Sequence, residues 1–449
     1  MLSPLKNVTY SRLFAAQVIA LVGTGLATVA LGLLAYELAG ADAGLVLGTA
    51  LAIKMVAYVA VAPIAGAFAD ALPRRPFLIA LDAVRAVIVL LLPFVDQVWQ
   101  IYLLIFLLQS SSAAFTPTFQ ATIPDILTDE NEYTKALSLS RLAYDLESLI
   151  SPALAAALLT LISFHWLFAG TAIGFIASAL FVLSAALPTV VSHDRQGGIY
   201  DKTTRGIRYY LATPRLRGLL CLSLVVSAAG AMVIVNTVVY VRTVLGGDET
   251  DVAIALAVFG AGSMAAALVL PKILENSPDR LIMLCGACGL VASLFVVGTV
   301  SMFALPGWWI FHTVWLLLGL SYSTVLTPSG RLLRRSSHQK DRPALFAAQF
   351  ALSHACWLLT YPLAGWLGAE FGMTAAFLGL GVVAAIGLAM AVTLWPAIDQ
   401  EVMVHAHPGL PADHVHWSEG SMLSSGQHSH AFVIDELHPK WPKEQSSLH

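Results

Sequence analysis

Eight of the thirteen histidines lie at or beyond position 405, and six of these form three His-x-His pairs: His405/His407, His414/His416 and His428/His430. Neutral imidazole suits nickel, zinc and copper, and alternate residues of an extended chain can bring two imidazoles to one ion. Asp413, Asp435 and Glu436, with His438, could complete or orient such a shell. Isolated pairs bind weakly, so the pattern suggests a collector or sensor of metal and not a rigid site. The plain alternative is a polar tail with incidental histidines. The histidines are not contiguous, which argues against an affinity tag. Nickel or zinc on this tail is the bound group expected; no cofactor is required.

A second set of candidates is ionisable or polar and sits inside long apolar stretches, where charge is costly and invites a functional reading. It comprises Lys54, Arg141, Asp145, Glu147, Asn236, His312, Gln349 and His354. Arg141 and Asp145 can pair across one helical turn, which leaves Glu147 on another face as cation ligand, proton carrier or part of a latch. Asp82 and Arg85 read as a structural pair of the same kind. Gln349 and His354 point about 140° apart around a helix and need not share a face. A lone helical histidine such as His312 or His354 can equally be an interhelical hydrogen bonder. Cys285-Gly-Ala-Cys288 reads as small packing residues in a Gly- and Ala-rich helix. Trp308, Trp309 and Trp315 suit an interfacial belt. No Gly-x-x-x-x-Gly-Lys phosphate loop is present, which argues against drive by the chain's own ATP hydrolysis.

The elements that must position these residues follow from composition. The 449 residues are 58% hydrophobic and 11% charged, whereas a soluble domain is roughly a quarter charged. Apolar runs of about 20 residues recur, each long enough to cross a bilayer as a helix and too long for barrel strands of about 10. The fold expected is an all-α polytopic membrane protein. Breaks at charged and Pro/Gly clusters place twelve spans, at 13–38, 43–69, 77–95, 98–122, 137–163, 165–187, 216–242, 250–272, 280–304, 307–330, 343–370 and 373–396. The first is read as a retained helix without a cleavage site.

Lys and Arg segregate to one side of these spans, with Arg74 and Arg75, then Arg205 to Arg217, then Arg331 to Arg342, while the other side has little besides Arg242. The positive-inside rule then puts both termini in the cytoplasm. The net charge of −3 decides nothing. The polar stretch after span six divides the chain into a six-helix bundle (1–187), a cytoplasmic linker (188–214), a second six-helix bundle (215–396) and a polar tail (397–449) expected to be disordered.

The loop Gly66-Ala-Phe-Ala-Asp70-Ala-Leu-Pro-Arg74-Arg75 resembles the signature between helices 2 and 3 of the major facilitator superfamily. The resemblance implies that Gly66 permits close helix approach, while Asp70, Arg74 and Arg75 form a charge latch between bundles that favours the outward-open state. The stretch from Pro117 through Pro124-Asp125 to Ala136-Leu-Ser-Leu is similar to the helix 4 to 5 region of the drug- and siderophore-exporter branch. Ser151-Pro152-Ala-Leu-Ala-Ala156 stands where exporters carry a Gly-Pro-rich antiporter motif, with its glycines replaced by Ser and Ala. Arg334-Arg335 through Gln349 to Ser353-His354, together with the tail, resembles the nickel-resistance exporters. These likenesses imply an alternating-access secondary exporter in a bacterial inner membrane, driven by an ion gradient, protons first. The expected cargo is a divalent transition metal, nickel first, or a small chelate of it. The alternatives are a drug or siderophore exporter with an incidental tail, and a non-transporting membrane metal sensor. Neither an enzyme nor a nucleic-acid partner is expected.

Overall fold

The computed structural model describes residues 2–39, 43–69, 72–188, 199–247, 249–304, 307–397, 402–407, 416–417, 421–424 and 427–442. The helices are α1 (Val8–Ala39), α2 (Ala43–Ala69), α3 (Arg74–Leu91), α4 (Val98–Ile126), α5 (Glu130–Leu159), α6 (His165–Ser184), α7 (Ile199–Ala212) and α8 (Pro214–Val239). They continue as α9 (Glu249–Leu274), α10 (Asp279–Phe303), α11 (Trp308–Leu326), α12 (Ser329–Arg335) and α13 (Arg342–Leu394). Three strands follow: β1 (Val402–Ala406), β2 (Ser421–Ser424) and β3 (Gln427–Ala431).

Among the described residues, 10 helices are long and apolar enough to cross a membrane. One of them, α13, spans 53 residues and is two helices joined at Gly372, whose φ of 82° lies where only glycine is comfortable. The 30-residue α5 is also long enough to cross. Its charges, from Glu130 to Glu147, set it apart from the ten. Local chemistry starts these helices where the sequence changes character. Asp129 caps α5, accepting from the Glu132 amide at 2.9 Å, and Gln97 with Gln100 forms a reciprocal box at the start of α4.

Buried apolar residues gather into separate cores. Two lie within α1 to α6 and their flanking turns, built around Phe168 and Phe175 in one case and Tyr10 and Phe119 in the other. A third, apart from Ala121, lies between Tyr210 and Trp395. Within it Trp315, expected at an interface, is fully buried; it packs on Phe311 at 4.0 Å and donates to Thr237 Oγ1 at 3.1 Å. Burial with a satisfied N–H outweighs a place at the bilayer edge. Helices α9 and α11 meet through glycine: a Cβ on Gly262 or Gly319 would overlap the backbone of Leu316 or Phe259.

The segment expected as a plain linker contains α7, an amphipathic helix that buries Tyr210 and pairs Arg205 with Asp201 at 3.0 Å. The tail, expected to be disordered, carries three strands within its described residues. Strand β1 pairs antiparallel with β3, setting His405 opposite His428, and β3 pairs with β2. Phe432, Val433 and Ile434 are buried beside this sheet. A short apolar run and three strands give the described residues of this segment regular structure, although its average composition is polar.

Candidate functional site

A cavity of about 640 Å³ opens between α1 to α6 on one side and the first turns of α13 on the other. Of the residues singled out from sequence, Lys54, Arg141, Glu147, Gln349 and His354 line it. Arg141 pairs with Asp145 at 2.5 Å, as the spacing required, and its Nε donates to Ser263 Oγ of α9 at 3.1 Å. The Lys54 ammonium acts electrostatically on both the Glu147 carboxylate and the His354 ring. His354 Nδ1 donates to the Phe350 carbonyl at 2.7 Å, which leaves the Nε2 lone pair as its acceptor or ligand atom. Its ring stands edge-on to Tyr58 at 4.7 Å. Gln349 accepts from Tyr210 of α7 and donates to Ser223 Oγ of α8 at 3.3 Å. Helix α1 comes close to α5 only because Gly25 has no side chain: a Cβ there would lie 2.7 Å from Glu147 Oε1.

Asn236 and His312 are not among the described residues that line the cavity. Asn236 is buried in the second half and donates to the Ala364 carbonyl at 3.0 Å, and His312 stacks on Trp308 at 5.6 Å. Both serve packing. Conversely, sequence reasoning missed Tyr58, which donates to Gln109 Oε1 at 2.8 Å, and Phe115, which lies under the Arg85 guanidinium at 4.0 Å. Tyr58 is one helical turn after Lys54, a polar i,i+4 spacing that could have signalled a shared face. Asp82 and Arg85 do pair, with Ser178 donating to Asp82 at 2.8 Å.

One end of the bundle, the basic end, is closed by ion pairs between the halves. Asp70 and the surroundings of Gly66 lie outside the described residues. Arg74 is buried and reaches Asp125 at 2.5 Å, and Asp125 also pairs with Arg342 of α13. Arg75 donates instead to the Leu183 carbonyl within its own half. Beside this bridge, Glu130 takes Arg334 at 2.9 Å and Arg331 at 3.1 Å, and Arg331 reaches Asp279 at 3.2 Å. Tyr133 donates across to the Gly330 carbonyl at 3.2 Å. Asp125 is therefore the centre of the closure, a role that sequence spacing alone did not disclose.

The tail is docked at this same end. His405, His407, His416, His428, His430 and His438 turn their rings toward one another; His414 lies outside the described residues. The Nε2 of His405 is 3.0 Å from that of His428, 3.1 Å from His430 and 3.0 Å from His438. His407 Nε2 is 3.1 Å from His416 and 3.2 Å from His438. The His-x-His spacing is the two-residue period of a strand, so His428 and His430 project from one face of β3. Burial and neighbouring imidazoles push His405 and His407 down to about 4, which keeps their lone pairs free near neutral pH. His438 Nδ1 donates to Asp435 at 2.8 Å. Burial acts to raise Asp435, but its bonds with His338 and His438 outweigh it and hold the carboxyl far below its ordinary range. His338, in the α12–α13 turn, is raised by that same bond, at 3.3 Å. Arg215 of α8 donates to the Phe432 carbonyl at 3.4 Å and covers the Trp441 ring at 5.2 Å.

The model of the Major Facilitator Superfamily matches residues 13–301 and 219–425. A curated relative, the uncharacterized MFS-type transporter YfiS of Bacillus subtilis (strain 168), is 26% identical over 214 residues, 46% of this chain and 50% of the relative. The match thus spans about half the length of that relative. Among solved structures, the human organic anion transporter MFSD10 (TETRAN) superposes with a TM-score of 0.74 at 12% identity, covering 85% of this chain and 98% of that one. A bacterial homologue of the iron transporter ferroportin, in its outward-facing state, superposes at 0.73 with 12% identity, covering 86% and 99%. At such identity these likenesses speak for the fold alone. With its two helical halves, the cavity between them and a family model matching most of its length, the chain belongs to the major facilitator superfamily and is a multi-pass membrane transporter, not an enzyme.

Proposed function

We propose that the protein is an alternating-access exporter of a divalent transition metal, nickel first, or of a small metal chelate. The observation that carries this reading is the pairing of two features: a cavity holding Glu147, Lys54 and the free Nε2 of His354, and a histidine cluster docked at the basic end. The basic end is the cytoplasmic one in this reading, with both termini there and the membrane the bacterial inner membrane. Metal entering near Glu147 and His354 displaces Lys54 electrostatically. A proton taken by Glu147 from the other side resets the cavity, coupling efflux to the proton gradient. Rocking of the halves requires the Asp125–Arg342 and Glu130–Arg331/Arg334 bridges to part. Neighbours in fold include a ferroportin homologue, which is compatible with metal cargo.

A second reading is supported by the cavity walls. Tyr58, Phe115, Phe119 and Phe175 give it aromatic surface, and its volume suits a drug-sized ligand; the fold neighbour MFSD10 is an organic anion transporter. Vesicles loaded with nickel, and in parallel with a fluorescent organic anion, separate the two. Metal export predicts nickel efflux that rises with an inward proton gradient and whose maximal rate falls in Glu147→Gln and His354→Ala. Organic-anion efflux with no nickel movement would overturn it.

A further inference from the structure

The six tail imidazoles have a definite geometry. Ring centroids of His405 lie 4.9 Å from His407, 4.6 Å from His428, 4.6 Å from His430 and 4.8 Å from His438. His416 lies 4.8, 4.7, 4.8 and 4.9 Å from His407, His428, His430 and His438. His407–His428, His407–His438, His428–His430 and His430–His438 close the figure at 5.2, 4.8, 4.9 and 5.2 Å. His405 and His416 themselves stand across the cluster at 6.4 Å. These close pairs trace the edges of an octahedron whose diagonals are His405/His416, His407/His430 and His428/His438. We infer that the tail is one octahedral, all-imidazole site for a single divalent transition-metal ion that prefers six nitrogen donors, Ni²⁺ or Co²⁺, over one that prefers four, Zn²⁺.

The donor spacing agrees. A metal–imidazole bond of about 2.1 Å sets neighbouring donors about 3.0 Å apart in an octahedron and about 3.4 Å apart in a tetrahedron. The five Nε2 separations given above, around His405 and His407, are 3.0 to 3.2 Å. His405, His430 and His438 each spend Nδ1–H on an outer acceptor, the Met403 carbonyl, the Ala431 carbonyl and Asp435, which fixes Nε2 as the ligating atom. His416, His428, His430 and His438 are buried, so the ion would be shielded from solvent. Donors that are all neutral nitrogen reject Mg²⁺ and Ca²⁺, which want oxygen. Cu²⁺ ranks above Ni²⁺ in affinity but is drawn to tetragonal sites, and Zn²⁺ to four ligands. The site is mounted on the second half: Asp435 joins His438 to His338, and the His338 carbonyl accepts from the Arg342 amide at 3.2 Å. Arg342 is the arginine that bridges to Asp125.

This deepens the metal reading above and is tested apart from it, by binding to the full-length protein in detergent without transport. Titration with Co²⁺ as a spectroscopic probe should saturate one tight site per chain with the weak visible absorption of six-coordinate Co²⁺. In competition, Ni²⁺ should displace Zn²⁺ from it. His416→Ala and His430→Ala, at neighbouring vertices on different diagonals, should each weaken Ni²⁺ binding about tenfold or more. Intense four-coordinate Co²⁺ bands, several weak ions per chain, or Zn²⁺ bound more tightly than Ni²⁺ would overturn the inference. The wild-type spectrum decides even if a variant tail does not fold. Nickel flux by a protein lacking the tail reports separately on the cavity, so either reading can fail alone.

Discussion

Replacing Asp125 by asparagine removes the negative charge that lies fully buried between Arg74 and Arg342. The two bonds have different consequences. Arg74 belongs to the same half as Asp125, so losing that bond lowers the stability of every conformation alike. Arg342 belongs to the other half, and its bond exists only while the basic end is closed. A hydrogen bond to a charged group contributes about 1.5–3 kcal/mol net. No discount for solvent screening applies, because the Asp125 side chain is 0% exposed and that of Arg342 15%. Closure should therefore weaken by about 10- to 150-fold. An equilibrium that begins at about 99:1 closed would move to between about 10:1 and 1:1.5. Spin labels on Thr128 and Gln339, one on each half at this end, allow the shift to be read as a new long-distance population. Glu132→Gln is the control, since the partly exposed Glu132–Lys135 pair lies within one half and is worth about 0–1 kcal/mol. A distance distribution for Asp125→Asn that matches both wild type and control would refute the assignment of Asp125 as the closing residue.

Asp435→Asn keeps the shape at His438 but loses the carboxylate that orients it, and should weaken nickel binding to the tail by about 10- to 100-fold by calorimetry; unchanged affinity would show that Asp435 serves docking alone. Truncation after position 401 should reduce metal resistance at low external metal and leave flux at saturating metal intact, because the cavity lies in the bundle and the tail raises the local ion concentration at its mouth. Equal loss at all concentrations would place the tail in the pathway itself. In a background freed of Cys221, Cys285, Cys288 and Cys356, a membrane-impermeant thiol reagent should label Arg242→Cys and spare Gln427→Cys in intact cells. Labelling of position 427 without permeabilisation would reverse the orientation.

Much of the architecture was legible along the chain. Apolar runs of bilayer length can exist only as helices that satisfy their own backbone groups, so composition and hydropathy sufficed for the helical membrane class. The i,i+3 and i,i+4 pairs Asp82–Arg85 and Arg141–Asp145 were legible for a similar reason, since helix geometry alone brings such residues together. Lys54, Glu147, Gln349 and His354 announced themselves by the cost of polarity in an apolar run, and all of them face the cavity. The same rule also selected Asn236 and His312, because cost says that a polar residue has a partner and not whether that partner is a carbonyl, a ring or a substrate.

Tertiary structure alone decided the rest. Asp125 and Arg342 are 217 positions apart, and no local spacing links a helix 4 aspartate to an arginine at the mouth of α13. The tail shows the limit most clearly. The His-x-His period by itself indicated two rings on one face of an extended chain, and hence weak, separate pairs. Pairing β1 with β3 set His405 against His428, and His416 and His438, which belong to neither strand, meet them at the same point. A repeat along the chain determines which face a ligand occupies; only the folding of several such faces onto one point sets how many ligands meet and in what geometry.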